Sequence, residues 1–153
     1  MIDLCITGVP GTGKTALCTC LNSLGVECVS AADLARDLNC IDSDTVDVDC
    51  LREKCGDQEI VEGHFSHLLG CRKIVILTCS EDVLEKRLLE RGYSEEKIRE
   101  NMEAQRSGII YSESLDLIPS LRIMEIETSK ILPEETAQRI LAFLKGERNG
   151  RDP

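Results

Sequence analysis

The chain has 153 residues, with 28 acidic and 18 basic side chains, a formal net charge of −10 and 42% hydrophobic residues. This length predicts a single domain, and no apolar run approaches the ~18 residues of a transmembrane helix. The negative charge argues against unassisted binding to a nucleic-acid backbone. The opening residues MIDLCITG hold no basic targeting segment, so we expect a cytoplasmic protein.

The first predicted elements are a strand at 2–7 and a helix at 14–24, joined by the turn GVPGTGKT. This turn, Gly8 to Thr15, fits the P-loop (Walker A) pattern at every required position. It also lies between a strand and a helix, where that pattern has its function. A glycine-rich turn before an ordinary helix is the alternative, and agreement at eight positions makes it much the weaker one.

The glycines, the lysine and the threonine of this turn each have a physical task. Gly8, Gly11 and Gly13 allow positive φ, which lets successive backbone N–H groups point at phosphates beside the helix N-terminus. Lys14 can reach the β- and γ-phosphates, and the Thr15 hydroxyl can bind Mg²⁺. We therefore expect a site for Mg²⁺ with ATP.

Apolar runs typical of strands alternate with helical patterns along the rest of the chain, which predicts an α/β fold with helices on both faces of the sheet. N-caps are expected at Ser30, Ser80 and Ser94, a first helical turn at Pro133, and a frayed tail over 146–153. The predicted strands are 2–7, 25–29, 58–62, 73–78 and 121–127, and the predicted helices are 14–24, 31–38, 50–55, 81–91, 94–113 and 133–145.

The segment VSAADLARDL, residues 29–38, follows the second strand and carries Arg36 on a short helix. In small phosphotransferases this region holds the acceptor, so Arg36 is a candidate phosphate ligand. A surface ion pair with Asp33 or Asp37 is the alternative. From Asp33 to Glu62 acidic residues far outnumber basic ones, which indicates a solvated face or a docking surface for a basic protein.

The motif VEGHFSH, residues 61–67, ends the third main strand at the sheet edge where ligands bind in open α/β folds. Glu62 is the candidate Walker B acid, acting on Mg²⁺ through water. His64 and His67 are the only histidines of the chain. We favour His64 as a site residue and a structural role for His67, since lone histidines are more often structural.

The segment EKRLLERGYSEEKIRE, residues 85–100, places Arg87 and Arg91 four residues apart on one helix face. Gly92 is a helix-stop signal and Ser94 a restart signal. Two cations on a hinged helical hairpin predict a lid, at about 88–100, that closes over phosphates. A solvated helix pair with internal ion pairs is the alternative.

The nine cysteines form no CxxC motif and have no zinc-site spacing, so we interpret most of them as small buried hydrophobic residues. Their odd number leaves at least one outside any intramolecular pairing. One or two disulfides remain open if the source is a hyperthermophile.

The P-loop, VSAADLARDL, the acidic loop ending in VDVDCL, VEGHFSH and RGYSEEKIREN together resemble the archaeal and eukaryotic adenylate kinase family. The closest resemblance is to its nuclear-type, CINAP-like branch, also described as a small-subunit ribosome-assembly ATPase, and it covers about residues 2–145. It implies an ATP:AMP phosphotransferase with weak ATPase activity on a P-loop NTPase fold. That fold is a three-layer sandwich around a five-stranded parallel sheet of order 2-3-1-4-5, with an AMP-binding segment at about 30–55.

The resemblance also implies residue roles. It assigns Arg91 to ATP, and Arg36, Gly63 and His64 to the AMP side, while Glu62 and His64 match an acid-x-His motif. A Gly-Phe-Pro-Arg-type sequence of ordinary adenylate kinases is absent after Glu62. The residues implied to bind ATP phosphates are Gly11, Thr12, Gly13, Lys14, Thr15 and Ala16.

The sequence leaves two other functions open. One is an assembly factor whose ATP hydrolysis drives binding and release of a basic small-subunit ribosomal protein, with incidental kinase activity. The other is a small-metabolite kinase of shikimate or gluconate type. The absence of a glycine-rich acceptor motif after the third strand counts against the second.

Overall fold

A five-stranded parallel sheet organises residues 1–146, the part of the chain that the structure, a computed structural model, describes. Its spatial order is β2-β5-β1-β6-β7, which is 2-3-1-4-5 when these five strands are counted along the chain. The predicted fold and strand order are confirmed. The strands are β1 (Ile2–Thr7), β2 (Cys28–Ser30), β5 (Gln58–Glu62), β6 (Cys71–Thr78) and β7 (Ile123–Glu127).

A separate two-stranded hairpin, β3 (Ile41–Asp42) and β4 (Thr45–Val46), lies in the acidic loop and was not predicted from the sequence. Ser43 and Asp44 both have positive φ, +50° and +67°, in its two-residue turn. Such turns match the twist of a hairpin. Their usual glycine is missing here, so the loop carries a weak sequence signal.

Seven α-helices lie in the described residues, one more than the six helices predicted, because one predicted helix is divided. The expected helix at 94–113 is broken at Gly108, whose φ of +69° ends one helix and begins the next. The helices are α1 (Lys14–Ser23), α2 (Ala31–Asp37), α3 (Val48–Lys54), α4 (Glu81–Glu90), α5 (Glu95–Ser107), α6 (Ile109–Leu115) and α7 (Pro133–Gly146).

The helix starts agree with the sequence in most cases. Ser30 and Ser94 accept hydrogen bonds from the backbone N–H groups of Asp33 and Lys97, and α7 begins at Pro133. Ser80 is the N-cap residue of α4, as predicted, but its hydroxyl makes no capping hydrogen bond and accepts one from the Ser129 hydroxyl. The expected frayed tail lies outside the described residues, apart from Gly146.

The predicted strand at 25–29 begins three residues later, at Cys28. The end of α1 occupies the preceding residues: the N–H groups of Leu24, Gly25 and Val26 all donate to carbonyls of α1. Gly25 has a φ of +86°, which a strand does not allow. The chain must complete this turn before it can enter the sheet.

Alternate residues along the central strands face two different cores, as expected for a sheet covered on both sides. Leu4 and Ile6 pack with α1 and α7, whereas Cys5 packs with α2, α3 and α6. A smaller cluster around Leu84 and Leu88 joins α4 to α5. No helix in residues 1–146 is long and apolar enough to cross a membrane.

The cysteines divide into two groups. Cys5–Cys71 and Cys40–Cys50 form disulfides, each within the core beside α2 and α3. The interpretation as small buried hydrophobic residues therefore holds for the free thiols, of which all but Cys20 are buried. The free cysteines are Cys18, Cys20, Cys28, Cys55 and Cys79.

Candidate active site

The turn between β1 and α1 has the backbone that a phosphate cradle requires. Gly8, Gly11 and Gly13 have φ values of +147°, +92° and +103°, so the expectation of positive φ is confirmed. A Cβ at Gly8 would lie 2.5 Å from the carbonyl oxygen of Leu77 in β6. This glycine is therefore needed for close packing as well as for conformation.

Lys14 is held inside this loop. Its Nζ donates to the carbonyl oxygens of Gly8 and Val9 at 2.8 and 3.0 Å, and the residue is only 9% exposed. Burial, opposed by Glu62 and assisted by the nearby Arg91, lowers the pKa of Lys14 to about 8. A phosphate group would restore a full counter-charge to this buried cation.

A cavity of about 580 Å³ lies over the P-loop between α4 and α7. The sequence-predicted residues Gly11, Thr12, Gly13, Thr15 and Ala16 all line it. We call it the donor cavity, since its size fits a nucleotide and its floor is the phosphate cradle. Its walls are completed by Leu17, Leu77, Arg87, Glu90, Arg91, Thr128, Ile131, Pro133 and Thr136.

A second cavity, of about 310 Å³, lies on the other side of the P-loop and is called the acceptor cavity. Gly11, Thr15 and Arg91 line both cavities, so the two spaces adjoin at the P-loop. Lys14 lines the acceptor cavity rather than the donor cavity. Its other lining residues are Pro10, Ser30, Ala32, Val46, Glu62, Gly63, His64, Phe65 and Tyr93.

Glu62 ends β5 at the boundary of the acceptor cavity and is 8% exposed. Within residues 1–146 its carboxylate has no hydrogen bond or ion pair, and burial raises its pKa while Lys14 opposes that rise. A buried carboxylate without a partner is unusual and calls for a ligand. Thr15 lines the same cavity, and a carboxylate with a threonine hydroxyl is an oxygen donor set that suits Mg²⁺.

His64 is exposed on the wall of the acceptor cavity, with its ring edge-to-face against Phe65 at 5.1 Å between centroids. Partial burial lowers the pKa of His64, and the neighbouring Lys14 lowers it further. The imidazole is therefore neutral at pH 7 and can both donate and accept a hydrogen bond.

Gly63 brings its backbone against the start of α2. A Cβ at this position would lie 2.9 Å from the Cβ of Ala31, which is fully buried. The Gly63 N–H donates to the Ile6 carbonyl oxygen at 3.0 Å. Close packing thus accounts for this glycine, which also lines the acceptor cavity, and its role toward AMP stays a prediction.

The two arginines of the predicted lid have different surroundings. Arg87 donates to the carbonyl oxygen of Gly11 at 3.0 Å and lines only the donor cavity of the two. Arg91 is the C-cap of α4, followed by Gly92 with a φ of +79°, and lines both cavities. The predicted helix–turn–helix geometry is present, and its closure over phosphates stays a prediction.

The structure does not bring Arg36 to either cavity. Its guanidinium forms an ion pair with Asp33, and both side chains are about 60% exposed. This is the alternative that the sequence left open. Asp33 and Arg36 lie three residues apart in α2, so their side chains are neighbours on the helix surface. Arg36 would have to leave Asp33 in order to bind an acceptor.

Sequence reasoning missed several residues of the two cavities. Val46 of the unpredicted hairpin and Tyr93 of the lid line the acceptor cavity. The loop after β7 lines the donor cavity, and the Thr128 hydroxyl donates to the Thr12 carbonyl oxygen at 2.9 Å. The rule that ligands bind beyond the carboxyl ends of parallel strands could have indicated this loop.

A profile of the "AAA domain" family matches residues 4–108. The chain belongs to this P-loop family. It is 43% identical over 150 residues to a protein of Thermoplasma acidophilum named "Putative adenylate kinase", covering 96% of this chain and 99% of the relative. A protein of the same name from Archaeoglobus fulgidus is 34% identical over 153 residues, covering 97% of this chain and 85% of the relative.

Solved structures of small kinases share the fold. Shikimate kinase from Acinetobacter baumannii superimposes with a TM-score of 0.66 at 15% identity, over 97% of this chain and 95% of that one. A gluconokinase from Sinorhizobium meliloti 1021 gives a TM-score of 0.59 at 15% identity, over 96% and 93%. The chain is thus a kinase-like P-loop protein of the family to which the archaeal relatives belong.

Proposed function

We propose that this protein is an adenylate kinase that transfers the γ-phosphoryl group of ATP to AMP. The observation that carries the proposal is the pair of cavities that adjoin at the P-loop and share Gly11, Thr15 and Arg91. An enzyme that transfers a group between two bound molecules needs two such sites in contact. The names of the archaeal relatives point to the same pair of substrates.

The chemistry needs positioning and positive charge more than a nucleophilic side chain. Phosphoryl transfer passes through a loose transition state whose charge is spread over the phosphoryl oxygens. Lys14 in the P-loop and Arg91 in the lid both line the acceptor cavity, and both are cations that can neutralise this charge. An AMP phosphate is already a competent nucleophile, so no general base is required.

Thr15 and Glu62 would hold Mg²⁺, with Glu62 acting through water as proposed from its position at the strand end. When bound, Mg²⁺ supplies positive charge to the phosphate oxygens. Lys14 would exchange the carbonyl oxygens of Gly8 and Val9 for phosphate oxygens as nucleotide enters. Arg91 would close the boundary between the two cavities and exclude water there.

A weak ATPase activity follows from the same site when the acceptor cavity holds water instead of AMP. Water needs an oriented hydrogen-bond partner, and neutral His64 on the cavity wall can provide one. We therefore propose that His64 orients the attacking water in hydrolysis and is less important for AMP.

The test is an acceptor screen with ATP that is radiolabelled in its γ-phosphate. AMP, GMP, CMP, UMP, shikimate and gluconate are offered in turn, with Lys14→Ala as the inactive control. The proposal expects label in ADP with AMP as the best acceptor. Preferential labelling of a sugar acid or of shikimate would replace it with a metabolite kinase.

A second candidate is an ATPase-driven assembly factor that binds a basic small-subunit ribosomal protein. One observation favours it: a cavity of about 410 Å³ between α1 and α2 is lined by three carboxylates, Asp33, Asp37 and Glu62. A lysine- or arginine-rich partner would suit this charge. ATP hydrolysis without AMP that rises on addition of such a protein, together with no labelling of AMP, would select this function.

A further inference from the structure

His67 lies in a chain of polar contacts that links α6 to the end of β1. Its Nε2 is 2.8 Å from Oε1 of Glu113, and its Nδ1 is 3.0 Å from Oγ1 of Thr7. The same Thr7 hydroxyl lies 3.2 Å from the carbonyl oxygen of His64. Thr7 and His67 are 0% and 3% exposed, so protein groups replace water in these contacts.

The donors and acceptors in these contacts limit where the protons can lie. The Glu113 carboxylate accepts, so the contact at 2.8 Å is a hydrogen bond donated by Nε2 of His67. The Thr7 hydroxyl has one proton, which it can share between two acceptors, the His64 carbonyl oxygen and Nδ1 of His67. The position of the His67 ring therefore sets where the Thr7 hydroxyl lies beside the His64 backbone.

Other hydrogen bonds fix the segment around His64 without reaching His64 itself. The Gly63 N–H and the Ser66 hydroxyl both donate to the Ile6 carbonyl oxygen, at 3.0 and 2.9 Å. In residues 1–146 the His64 ring has a contact with Phe65 and no hydrogen bond of its own. The Thr7 contact is therefore the one that acts directly at His64.

We propose that His67 and Glu113 are positioning residues, which hold the Thr7 hydroxyl against the His64 backbone and so set how the His64 ring enters the acceptor cavity. Neither residue lines that cavity, so both act through Thr7. The effect of this network on catalysis rests on the proposed function. Its effect on the His64 ring does not.

The first arm of the test observes the two histidines of the chain by NMR of protein labelled with ¹⁵N-histidine. Glu113→Ala removes the acceptor at the outer end of the network, where the side chain is 44% exposed and folding should tolerate the change. Glu113→Gln keeps an acceptor oxygen. Asp116→Ala is the matched control, because Asp116 is an exposed acid three residues later, at the C-cap of α6.

The expected result is that Glu113→Ala shifts the imidazole signals of both His67 and His64, that Glu113→Gln returns them most of the way, and that Asp116→Ala leaves both unchanged. Thr7→Val should shift His64 as well, and Thr7→Ser should not. The inference is overturned if the His67 signals move in Glu113→Ala while those of His64 stay at their wild-type positions.

The second arm measures ATP hydrolysis without AMP and ADP formation with AMP in the same variants. Thr7→Val and Glu113→Ala should slow hydrolysis on the order of tenfold, less than the roughly 100-fold that a displacement of about 1 Å can cost, and slow ADP formation much less. Equal losses of both rates with a lowered Tm would reduce His67 to a structural residue. If wild-type protein does not label AMP, the proposed function fails, and the NMR arm still decides this inference.

Discussion

Arg87 is hydrogen-bonded through Nη1 to the carbonyl oxygen of Gly11, over 3.0 Å. This contact ties α4 to the P-loop, whereas Arg91, one turn later, lines both cavities. The sequence places the two arginines on one helix face and predicts the same role for both. The structure separates a cation that contacts the P-loop from a cation that lines both cavities.

Replacement of Arg91 by alanine should slow phosphoryl transfer by about 10³-fold or more, as loss of an arginine contact to transition-state charge can. Tm should change little, because Arg91 is exposed at the end of α4. Arg99→Ala is the control, since Arg99 is an exposed lid arginine paired with Glu95. Steady-state kinetics with differential scanning calorimetry checks both statements. A near-normal rate for Arg91→Ala would make the lid a solvated helix pair.

Replacement of Arg87 should act differently. Arg87→Ala removes the hydrogen bond to Gly11 and loosens the P-loop, so we expect a weaker affinity for ATP and a Tm lowered by a few degrees. Lys86→Ala, which removes an exposed cation at the adjacent position, should change neither. Isothermal titration calorimetry and thermal unfolding measure the two effects. Unchanged ATP affinity in Arg87→Ala would show that the contact does not support the loop.

The pKa of Lys14 predicts how ATP binding depends on pH. In the free protein burial lowers this pKa to about 8, and phosphates raise it in the complex. Below pH 8 the ammonium is present in both states and affinity is flat. Above pH 8 binding must take up a proton, so affinity should fall by up to about tenfold per pH unit.

Titration calorimetry in two buffers of different ionisation enthalpy measures this uptake directly at pH 8.5. Lys14→Arg keeps the charge through this range and should bind without proton uptake. Wild-type affinity that stays constant from pH 7 to 9.5 would contradict the assignment of Lys14 as the phosphate ligand.

The contact between Gly63 and Ala31 predicts a compensating pair of substitutions. Gly63→Ala forces two methyl groups to 2.9 Å and should destabilise the protein by about 1–3 kcal/mol. Ala31→Gly alone should cost about 1 kcal/mol or less. The double variant should recover much of the loss from Gly63→Ala in urea unfolding. Strictly additive effects would show that the two residues do not touch.

The sequence predicts the sheet and the P-loop well because their signals are local. A strand pattern, a glycine-rich turn and a helix follow one another within 24 residues, and the turn's chemistry leaves few alternatives. Ser94 as a cap and Pro133 as a first helical residue are equally local. The prediction of one long helix at 94–113 was wrong because Gly108 takes a positive φ that ends α5 and begins α6.

Features that depend on distant parts of the chain were harder to predict. Arg36 carries the right charge in the right segment, yet its neighbour Asp33 offers a nearer partner. Tyr93 and Val46 reach the acceptor cavity from the lid and from a hairpin without its usual glycine. His67 contacts Thr7 and Glu113, 60 residues before it and 46 after it, so no spacing rule indicates this network.

His64 provides a test that separates the two reactions of the site. Water must be oriented and an AMP phosphate needs no base, so His64→Ala should reduce ATP hydrolysis more than ADP formation. Phe65→Ala is a useful comparison, because it removes the ring contact and leaves the imidazole in place. Equal losses of both rates in His64→Ala would assign His64 to the binding of AMP or to structure instead.

The central claim is that two adjoining cavities pass a phosphoryl group from ATP to AMP. It is tested most directly by following the label from γ-labelled ATP with and without AMP, and measuring how the label divides between ADP and inorganic phosphate. AMP should move most of the label into ADP and raise total turnover. Label that appears only as inorganic phosphate, at a rate that AMP does not change, would contradict it.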